Sequence, residues 1–334
     1  MKSLVCTEPF VLNYQERDIP CAKDNEVVIK VSAVGICGTD IHAYQGNQPF
    51  FEYPRVLGHE VCGNITAIGS KVHNYKIGQR VALIPYLSCG KCVACQKGKT
   101  NCCEKISVMG VHQDGGFSEF LAISDTNIIP LADNVDDISA ALIEPFAISA
   151  HAVRRAQVSK NNNVLVIGAG PIGLGVAAIA IADGANVVVA DTSLSRRQHI
   201  QQKLSVKVVD PLSEKIENYF GSMLPEIVID ATGNPHSMNN AVNFICHGGR
   251  IVFVGLFKGD LVIHDPDFHK KETTLMGSRN ATQEDFTKVQ KLMSEGKLNS
   301  SMMLSDTFNY TELADIYEEK IVKNKNLVKG VILY

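Results

Sequence analysis

The sequence has 334 residues, too many for one simple core, and its length predicts two domains. Hydrophobic residues make up 45% of the chain and charged residues 20%, as in ordinary globular proteins. The formal net charge of −3 gives no electrostatic basis for binding nucleic acid or an anionic membrane. The N-terminal segment lacks the apolar run of a signal peptide, and ten cysteines fit a reducing cytoplasm better than a disulfide scaffold. We therefore expect a cytoplasmic protein that binds neither nucleic acid nor a membrane.

Residues 1–145 alternate short β-rich runs with Gly and Pro turns. The runs read EVVIKVSAVG, GHEVCGNITAIG, GQRVALIP and GGFSEFLAI. Several short strands at regular spacing, separated by turn residues, are typical of all-β sandwiches and barrels. We predict a partly open barrel of antiparallel strands.

A short polar stretch at about residues 86–106 holds a group of closely spaced cysteines. Cys89, Cys92 and Cys95 form two C-x2-C steps, and either Cys102 or Cys103 supplies a fourth thiol. Each C-x2-C step turns the backbone back toward a common centre, so the thiolates can converge on one tetrahedral Zn²⁺. The alternative is a chance or disulfide-bonded group. Four thiolates would leave no open coordination position, so this lobe would stabilise a loop without taking part in chemistry.

From residue 146 the pattern of the sequence changes to alternating strands and helices. The strands read VLVIG, VVVAD, EIVID and RIVFVG, with helix-like segments between them. Apolar strands without polar alternation, each followed by a helix, predict a doubly wound parallel sheet over residues 146–276. Residues 277–334 are predicted to add two helices and a final strand.

A glycine-rich turn follows the strand VLVI and opens a helix. Its residues are Gly168, Ala169, Gly170, Pro171, Ile172 and Gly173. In this context glycines permit a tight turn, close approach to a pyrophosphate and close helix–strand packing, while the helix N-terminus attracts phosphate. We predict a dinucleotide-binding turn; a structural turn without a nucleotide is the alternative.

The next strand ends in Asp191, about 20 residues beyond the turn. A carboxylate at this place accepts hydrogen bonds from the ribose hydroxyls and repels a 2′-phosphate, which predicts NAD rather than NADP. Arg196 and Arg197 are the counter-evidence, because an arginine there can bind the 2′-phosphate; their alternative is a solvated helix face. Arg196, Thr232 and Val254 complete the predicted cofactor contacts.

Two more polar clusters, GICGTDIH and GHE, precede the dipeptide Glu144-Pro145. Together with the cysteine lobe, the GAGPIG turn and the Asp-terminated strand, in that order, they resemble the zinc-dependent medium-chain dehydrogenases. This superfamily includes alcohol, sorbitol and threonine dehydrogenases. The resemblance implies a GroES-like catalytic domain that recruits the C-terminal segment, with a Rossmann domain inserted between. It also implies two Zn²⁺ per chain, NAD, and a homodimer or homotetramer.

The resemblance assigns Cys37 and His59 to a catalytic zinc and favours Cys103 as the last ligand of the structural zinc. Glu60 and Glu144 match acidic positions beside the catalytic metal. It leaves open which of the two carboxylates binds zinc directly and which one holds its water. Taken singly, a buried cysteine or histidine is more often an ordinary core residue. Two carboxylates beside them would be unfavourable in a core without a cation.

The same resemblance assigns three residues of the GICGTDIH motif to supporting roles. Asp40 matches a carboxylate that orients His59. Thr39 matches a hydroxyl that relays the substrate proton, and His42 matches the outer base that passes this proton to solvent. The alternatives are a local turn hydroxyl for Thr39 and a surface histidine for His42. The implied chemistry is hydride transfer from a zinc-activated hydroxyl to the nicotinamide ring.

Longer stretches resemble the hexonate dehydrogenases of this superfamily. They read GNQPFFEYPRVLGHE, GKTNCCEKISVMGVHQDGGFSEF, LIEPFAISAHAVRRA and DPDFHKKETTLMGSRNATQEDF. The likeness implies oxidation of L-galactonate at C5 to D-tagaturonate. Another hexonate such as L-gulonate, or an uncharged polyol, stays open, because a few pocket residues can change the substrate within one fold. A non-catalytic, NAD-binding zinc sensor is the alternative from another class.

A sugar acid requires hydrogen-bonding groups for its hydroxyls and a cation for its carboxylate. Tyr44 and Asn47 follow the GICGTDIH motif and are candidates to line the mouth of a cleft. Arg279, where the chain is expected to return to the catalytic domain, is the first candidate for the carboxylate. A cofactor contact or an ion pair between domains is its alternative. His112 and Arg55 are weaker candidates.

Overall fold

The structure is a computed structural model that describes residues 1–48 and 51–334. The chain forms two compact units. The first contains Met1–Glu144, Thr282–Ser300 and Leu304–Tyr334, and the second contains Pro145–Ala281 and Ser301–Met303. The first unit is therefore built from both ends of the chain, and the second is inserted into it. No helix in the described part of the chain is long and apolar enough to cross a membrane.

The described chain is rich in both strands and helices. In chain order, the strands are β1 Lys2–Glu8, β2 Val11–Glu16, β3 Glu26–Ile36, β4 Arg55–Val56, β5 Glu60–Ile68, β6 Arg80–Leu83, β7 Tyr86–Leu87, β8 Ser107–Val108, β9 Phe120–Ser124, β10 Ile128–Pro130, β11 Asn163–Ile167, β12 Asn186–Ala190, β13 Lys207–Val209, β14 Ile227–Asp230, β15 Arg250–Phe253, β16 Thr274–Gly277, β17 Asp306–Asn309 and β18 Gly330–Leu333. The α-helices are α1 Gly38–Tyr44, α2 Val93–Gln96, α3 Asp137–Ala141, α4 Ile143–Arg155, α5 Pro171–Ala182, α6 Leu194–Leu204, α7 Pro235–Asn240, α8 Asp265–Lys270, α9 Gln283–Ser294 and α10 Leu313–Ile316.

The first unit is organised around one large sheet. Its strand order is β10-β6-β5-β3-β18-β17, and β9 also pairs with β3. All of these pairs are antiparallel except β17 with β18. A smaller sheet has the order β2-β1-β4, and β7 pairs with β8 on either side of the cysteine lobe. The antiparallel architecture predicted for this region is confirmed.

Strand β3 lies at the centre of the large sheet and leads into α1. Most of its residues are buried, as expected for a strand covered on both faces. Across the sheet, Gly35 pairs with Glu60 of β5, and Ile36 pairs with Gly330 of β18. Neighbouring strands lie only about 4.8 Å apart. The end of β3 therefore brings residues near positions 36, 60 and 330 together.

The second unit is a parallel sheet with the order β13-β12-β11-β14-β15-β16. All five strand pairs are parallel. This 3-2-1-4-5-6 order is that of a dinucleotide-binding Rossmann fold, and it places the switch point at the end of β11. Helix α5 starts directly after that point, and eight of its residues are buried, as its continuous apolar sequence requires. The predicted doubly wound sheet is confirmed.

The unit boundary near the C-terminal segment differs from the predicted one. Strand β16 extends the parallel sheet through Gly277, and the second unit continues to Ala281. Arg279 therefore belongs to the second unit and not to a segment of the catalytic unit. Strand β16, whose sequence is mostly apolar, pairs with β15 at the edge of the parallel sheet. This pairing keeps the strand in the second unit.

Candidate metal centres and cofactor site

Three separate elements bring Cys37, His59 and Glu60 together. Cys37 lies between β3 and α1, His59 directly precedes β5, and Glu60 is the first residue of β5. One donor atom from each lies within 4.8 Å of the other two. His59 is 5% exposed and Glu60 is fully buried. A thiol, an imidazole and a carboxylate at this spacing form a suitable ligand set for Zn²⁺ that leaves room for a further ligand.

Asp40 connects the two loops that carry these ligands. Its Oδ2 accepts a hydrogen bond from the Cys37 N–H at 2.9 Å, and its Oδ1 accepts one from the Gly58 N–H at 3.0 Å. The distance from Oδ1 to Nδ1 of His59 is 3.7 Å, too long for a direct hydrogen bond. In the described structure Asp40 therefore positions the backbone next to each ligand, and its effect on the His59 ring is electrostatic.

Glu144 lies beside the three ligands and is held by a tyrosine that was not predicted from the sequence. The buried Tyr86 hydroxyl donates a hydrogen bond to Oε1 of Glu144. Burial and the adjacent Glu144 charge raise the pKa of Tyr86 well above its usual value, so this hydroxyl stays protonated. Tyr86 follows the GQRVALIP strand, where its phenol was indistinguishable from an ordinary β-sheet residue.

Glu60 has a second partner that was not predicted from the sequence either. Lys329 directly precedes β18, and its Nζ donates to Oε1 of Glu60. The lysine side chain is 4% exposed and the glutamate side chain 0%. Burial alone would lower the pKa of Lys329, but the charge of Glu60 raises it above the usual value. This is a buried ion pair between residues 269 positions apart.

Orphaned polar atoms show that this cluster fits a cation. Oε2 of Glu60 and Oε2 of Glu144 are buried without a hydrogen-bond partner among the described residues. Burial raises the pKa of Glu144 to about 7, although the nearby His59 lowers it. Burial also lowers the pKa of His59, but Asp40 and Cys37 raise it well above its usual value. Leaving such groups unpaired is costly, and a bound Zn²⁺ would remove this cost.

The cysteine lobe forms a second cluster of donors. The sulfur atoms within 4.8 Å of one another belong to Cys89, Cys92, Cys95 and Cys103. Cys103 is buried, and its Sγ accepts hydrogen bonds from the N–H groups of Cys89 at 3.2 Å and Lys105 at 3.3 Å. Cys102 is exposed and lies outside the cluster. The geometry thus selects Cys103 as the fourth thiol.

Backbone dipoles prepare the lobe for thiolates. Hydrogen bonds from the backbone of Lys91 and Cys92 lower the pKa of Cys89 to about 6. Desolvation and the neighbouring thiols raise the pKa of Cys95 to about 11. Four thiols that crowd together cannot all ionise without a cation, and Zn²⁺ is the usual cation for such a set.

Thr39 and His42 lie three residues apart on α1 and so share one side of this short helix. Thr39 is half-buried and follows Cys37 by two positions, whereas His42 is exposed to solvent. The proton-relay role expected of both residues from the sequence stays a prediction.

The predicted substrate contacts in the first unit have different environments. Tyr44 is 4% exposed, and its ring packs against Tyr317 at 4.9 Å and Phe10 at 5.6 Å. It is a core residue and does not line the mouth of a cleft, because the apolar side of α1 points inward. Asn47 is exposed just after α1. Pro49 and Phe50 of the GNQPFF stretch lie outside the described residues.

The remaining charged candidates lie at some distance in sequence from the ligand cluster. Arg55 forms an ion pair with Asp114 at 3.7 Å. His112 is exposed, and its Nδ1 accepts a hydrogen bond from the N–H of Val108 at 3.0 Å. Arg279 is exposed in the second unit. Arg55 thus already has an anionic partner, which makes it a poor candidate for a substrate carboxylate.

The glycine-rich turn connects β11 to α5 in the second unit. Gly170 is the N-cap of α5, and Pro171 is in its first turn. A Cβ atom at Gly173 would lie 1.7 Å from the carbonyl oxygen of Gly168, so no larger residue fits there. The first N–H groups of a helix have no intrahelical acceptor, so those at the N-terminus of α5 can bind a phosphate, which the helix dipole also attracts.

Asp191, at the end of β12, holds this turn in place. Its Oδ2 accepts a hydrogen bond from the N–H of Ala169, and its Oδ1 accepts one from the N–H of Ser193, both at 2.8 Å. Nη1 of Arg197 donates to the Asp191 carbonyl at 2.5 Å and lies 3.3 Å from Oδ2 of Asp210. Arg197 is thus engaged within the protein, whereas Arg196 is exposed.

Asp230 is a buried carboxylate at the end of β14 that was not predicted as a site residue. Its Oδ1 accepts hydrogen bonds from the N–H and hydroxyl of Thr232, at 2.8 and 2.6 Å. Its Oδ2 accepts one from the Ser237 hydroxyl at 2.5 Å, and its carbonyl accepts one from the N–H of Val254 at 2.9 Å. Asp230 therefore positions both Thr232 and Val254. The sequence did carry a signal for this site residue, because the strand EIVID ends in Asp just as the strand VVVAD does.

Family models match both units. Residues 23–133 match the model for the alcohol dehydrogenase GroES-like domain, and residues 171–295 match the model for zinc-binding dehydrogenases. These matches cover Cys37, His59, Glu60, the cysteine lobe and the second half of the glycine-rich turn. The superfamily resemblance drawn from the motifs is confirmed.

Individual relatives extend over the whole chain. L-galactonate-5-dehydrogenase of Escherichia coli (strain K12) is 59% identical, with 100% of this chain and 99% of that protein aligned. Starvation-sensing protein RspB of the same organism is 35% identical, with 94% of each chain aligned. A solved structure from E. coli CFT073, described as the short chain alcohol dehydrogenase rspB with NADH, has a TM-score of 0.91 and 33% identity. It covers 100% of this chain and 99% of that one.

Proposed function

The chain belongs to the zinc-dependent medium-chain dehydrogenases, and from this premise we propose that it oxidises L-galactonate at C5 to D-tagaturonate with NAD⁺. The observation that carries the substrate is the 59% identity to L-galactonate-5-dehydrogenase along essentially the full length of both proteins. The preference for NAD⁺ is supported by Asp191, whose carboxylate would repel a 2′-phosphate, and by the internal contacts of Arg197. It is an enzyme of this family, which disfavours the non-catalytic sensor considered from sequence.

Two bound groups supply the chemistry that the side chains lack. A Zn²⁺ held by Cys37, His59 and Glu60 would act as a Lewis acid that lowers the pKa of the substrate hydroxyl. NAD⁺ held at the glycine-rich turn and beside Asp191 would supply the hydride acceptor. We assign the structural zinc to the four thiols of the cysteine lobe, where no coordination position remains for a substrate.

Proton transfer and orientation of the site are assigned to residues of the first unit. Oxidation of a secondary alcohol removes one proton from oxygen and one hydride from carbon. Oγ1 of Thr39 receives the proton, and the imidazole of His42 passes it to solvent. The carboxylate of Glu144, which accepts a hydrogen bond from Tyr86, would orient the molecule that binds beside the metal ligands. Glu144 and Tyr86 are both buried, which excludes bulk water from this pair and strengthens its electrostatic effect.

A sugar acid also requires a cation for its carboxylate, and we assign this role to Arg279. Its guanidinium can bind a carboxylate in a bidentate fashion. Asn47 is the proposed hydrogen-bonding partner for a substrate hydroxyl. His112 is retained as a weaker candidate for the same carboxylate.

The substrate proposal is tested with a panel of hexonates and hexitols, assayed with NAD⁺ and NADP⁺. Wild-type enzyme should oxidise L-galactonate faster than L-gulonate or any hexitol. In Arg279→Ala, kcat/KM for L-galactonate should fall about tenfold to a hundredfold, since a hydrogen bond to a charged group contributes about 1.5–3 kcal/mol. Hexitols lack the carboxylate and should be affected far less, which controls for a cofactor role of Arg279.

Two outcomes would contradict this assignment at different levels. An equal loss for hexonates and hexitols would remove Arg279 from the substrate site without touching the reaction. A wild-type enzyme that oxidises hexitols faster than every hexonate would refute the sugar-acid substrate, while leaving zinc-dependent dehydrogenation intact.

We further propose that the enzyme works in the cytoplasm as a homodimer or homotetramer. All ten cysteines have free thiols, which supports a reducing compartment. Leu256, Leu261 and Val262 are exposed apolar side chains in one segment of the second unit, as expected for a surface covered by another subunit. Light scattering of the purified protein measures the oligomeric state directly.

A further inference from the structure

The side chain of Lys329 carries a buried positive charge to the metal centre from a distant part of the chain. Its Nζ contacts Oε1 of Glu60, and both side chains are almost inaccessible to water. The charge of Lys329 also interacts with Cys37 and Glu144. An ammonium group and a metal ion therefore compete for the same set of negative donors.

The second oxygen of Glu60 has a different environment. Oε2 is buried and has no hydrogen-bond partner among the described residues. It lies against the backbone of Gly35, where a Cβ atom would be only 2.0 Å away. Gly35 thus provides the space that Oε2 occupies, and the carboxylate is confined between Gly35 on one strand and Lys329 on the next.

We propose that Lys329 is a positioning residue of the catalytic metal centre: it holds Oε1 of Glu60 and so limits how this carboxylate can bind the metal. In addition, its charge offsets part of the negative charge of the donors. Zinc is then bound less tightly than the ligands alone would allow, and it stays more electrophilic toward the substrate hydroxyl. This proposal rests on the role assigned above to Cys37, His59 and Glu60.

The sign of the effect on zinc affinity distinguishes this role from a structural one. Loss of a buried residue that merely supports the ligands typically weakens metal binding by about tenfold to a hundredfold. Removing a like charge beside the metal should instead tighten it, because Glu60 regains its full charge and both oxygens. The metal-free protein should at the same time become less stable, because Glu60 is left buried without a counter-charge.

The experiment compares Lys329→Met, which has a similar length without charge, with Lys329→Arg, which keeps the charge. Zinc affinity is measured by competition with a chromophoric chelator, and the melting temperature is measured with and without Zn²⁺. For Lys329→Met we expect zinc binding about tenfold tighter or more and a metal-free melting temperature about 5–10 °C lower. For Lys329→Arg, zinc affinity should stay within about threefold of wild type.

Three controls keep the measurement specific. Cys37→Ala, which retains only the cysteine-lobe site, supplies the zinc-binding baseline to subtract. Lys323→Met removes an exposed lysine with surface carboxylate partners and should change neither zinc affinity nor metal-free stability by much. Lys329→Gln keeps a neutral hydrogen-bond donor to Glu60, and it replaces the methionine variant if the latter does not fold.

Co²⁺ substitution gives a readout that does not depend on turnover. The visible absorption of Co²⁺ reports its coordination, so a change in how Glu60 binds should shift the spectrum of the neutral variants and leave the arginine variant like wild type. Weaker or unchanged zinc binding in both neutral variants would overturn the proposal. A wild-type chain that binds only one Zn²⁺ would refute the catalytic centre itself, so the two failures can be told apart.

Discussion

The two proposed metal centres of the first unit collect their parts over very different lengths of chain. The four thiols of the cysteine lobe all come from one short loop between β7 and β8, and three of them are only half-buried. The catalytic centre draws on Cys37, His59 and Glu60, and it is supported by Tyr86 of β7 and by Lys329, which directly precedes β18. Apart from the half-buried Cys37, these groups are almost inaccessible to water.

This difference teaches how each site is made specific. In the lobe, identical donors at short spacing suffice, and backbone N–H groups are the main support. In the catalytic centre, each of the two carboxylates has one oxygen held by a protein group and one left without a partner among the described residues. A closed site can rely on local sequence, whereas an open one needs the surrounding fold to keep its ligands in place.

The largest effect is expected from a substitution that disrupts the catalytic centre and leaves the cysteine lobe intact. Cys37→Ala should lower kcat/KM at least about a thousandfold, because Lewis-acid stabilisation worth several kcal/mol is lost. Its melting temperature should change little, and NADH should still bind, since the cofactor turn lies in the other unit. Steady-state kinetics, calorimetry and NADH fluorescence check these points. Cys62→Ala, at another buried thiol of the first unit, is the matched control and should stay active.

The next largest effect is expected from a substitution that disrupts the cysteine lobe. Cys92→Ala should lower the melting temperature by about 10 °C or more and reduce soluble yield, because binding energy at a structural zinc site is folding energy. Zinc content should fall by one ion per chain. The exposed Cys102 lies just outside the cluster, so Cys102→Ala should behave like wild type. Similar loss of folding in Cys37→Ala and Cys92→Ala would contradict the division between a catalytic and a structural centre.

A smaller effect is expected when a side chain that supports the catalytic centre loses its hydrogen bond. Tyr86→Phe removes only the hydroxyl that donates to Glu144. Losing a hydrogen bond to a charged group should lower kcat by about tenfold to a hundredfold, with KM for NAD⁺ unchanged. Tyr75→Phe removes another partly buried tyrosine hydroxyl of the first unit, one that donates to the Ile128 carbonyl, and serves as the control. Equal kcat in the two variants would show that Glu144 does not depend on Tyr86.

The smallest effect extends the comparison to the cofactor turn. Asp191→Ala should raise KM for NAD⁺ by about tenfold and improve the relative use of NADP⁺, because an acceptor and a repulsive charge are both removed. The loss of two hydrogen bonds to the turn adds to the effect. Initial rates with both dinucleotides measure it. A wild-type enzyme that reduces NADP⁺ as well as NAD⁺ would favour the alternative assignment of Arg196 to a 2′-phosphate.

Local patterns made much of the fold and both donor sets predictable. The C-x2-C steps, the GAGPIG turn and the alternation of strands and helices each depend on residues close in sequence. They predicted the cysteine cluster and the parallel sheet correctly. Tyr44 was misplaced, because a tyrosine at the end of a short helix has the same local sequence signal whether its ring faces the core or a cleft.

The supports of the catalytic centre could not be predicted in this way. Lys329 lies in LVKGVILY, where one charged residue in an apolar strand suggests an exposed position. Its partner Glu60 is brought to it only by the pairing of β18 and β5 on either side of β3. The distance of 269 positions between them carries no local signal. Tyr86 and Glu144 are likewise 58 positions apart.

The insertion of the second unit into the first has a consequence for how the protein is made. During translation the whole parallel sheet, through β16, emerges before β18 exists, so the inserted unit can finish folding while its host is incomplete. Until residues 330–333 emerge, the Ala33–Ile36 part of one edge of β3 has no neighbour, and Glu60 has no counter-charge. An exposed strand edge is a site of aggregation. Nascent chains that stall in this interval are therefore the form of the protein most in need of a chaperone.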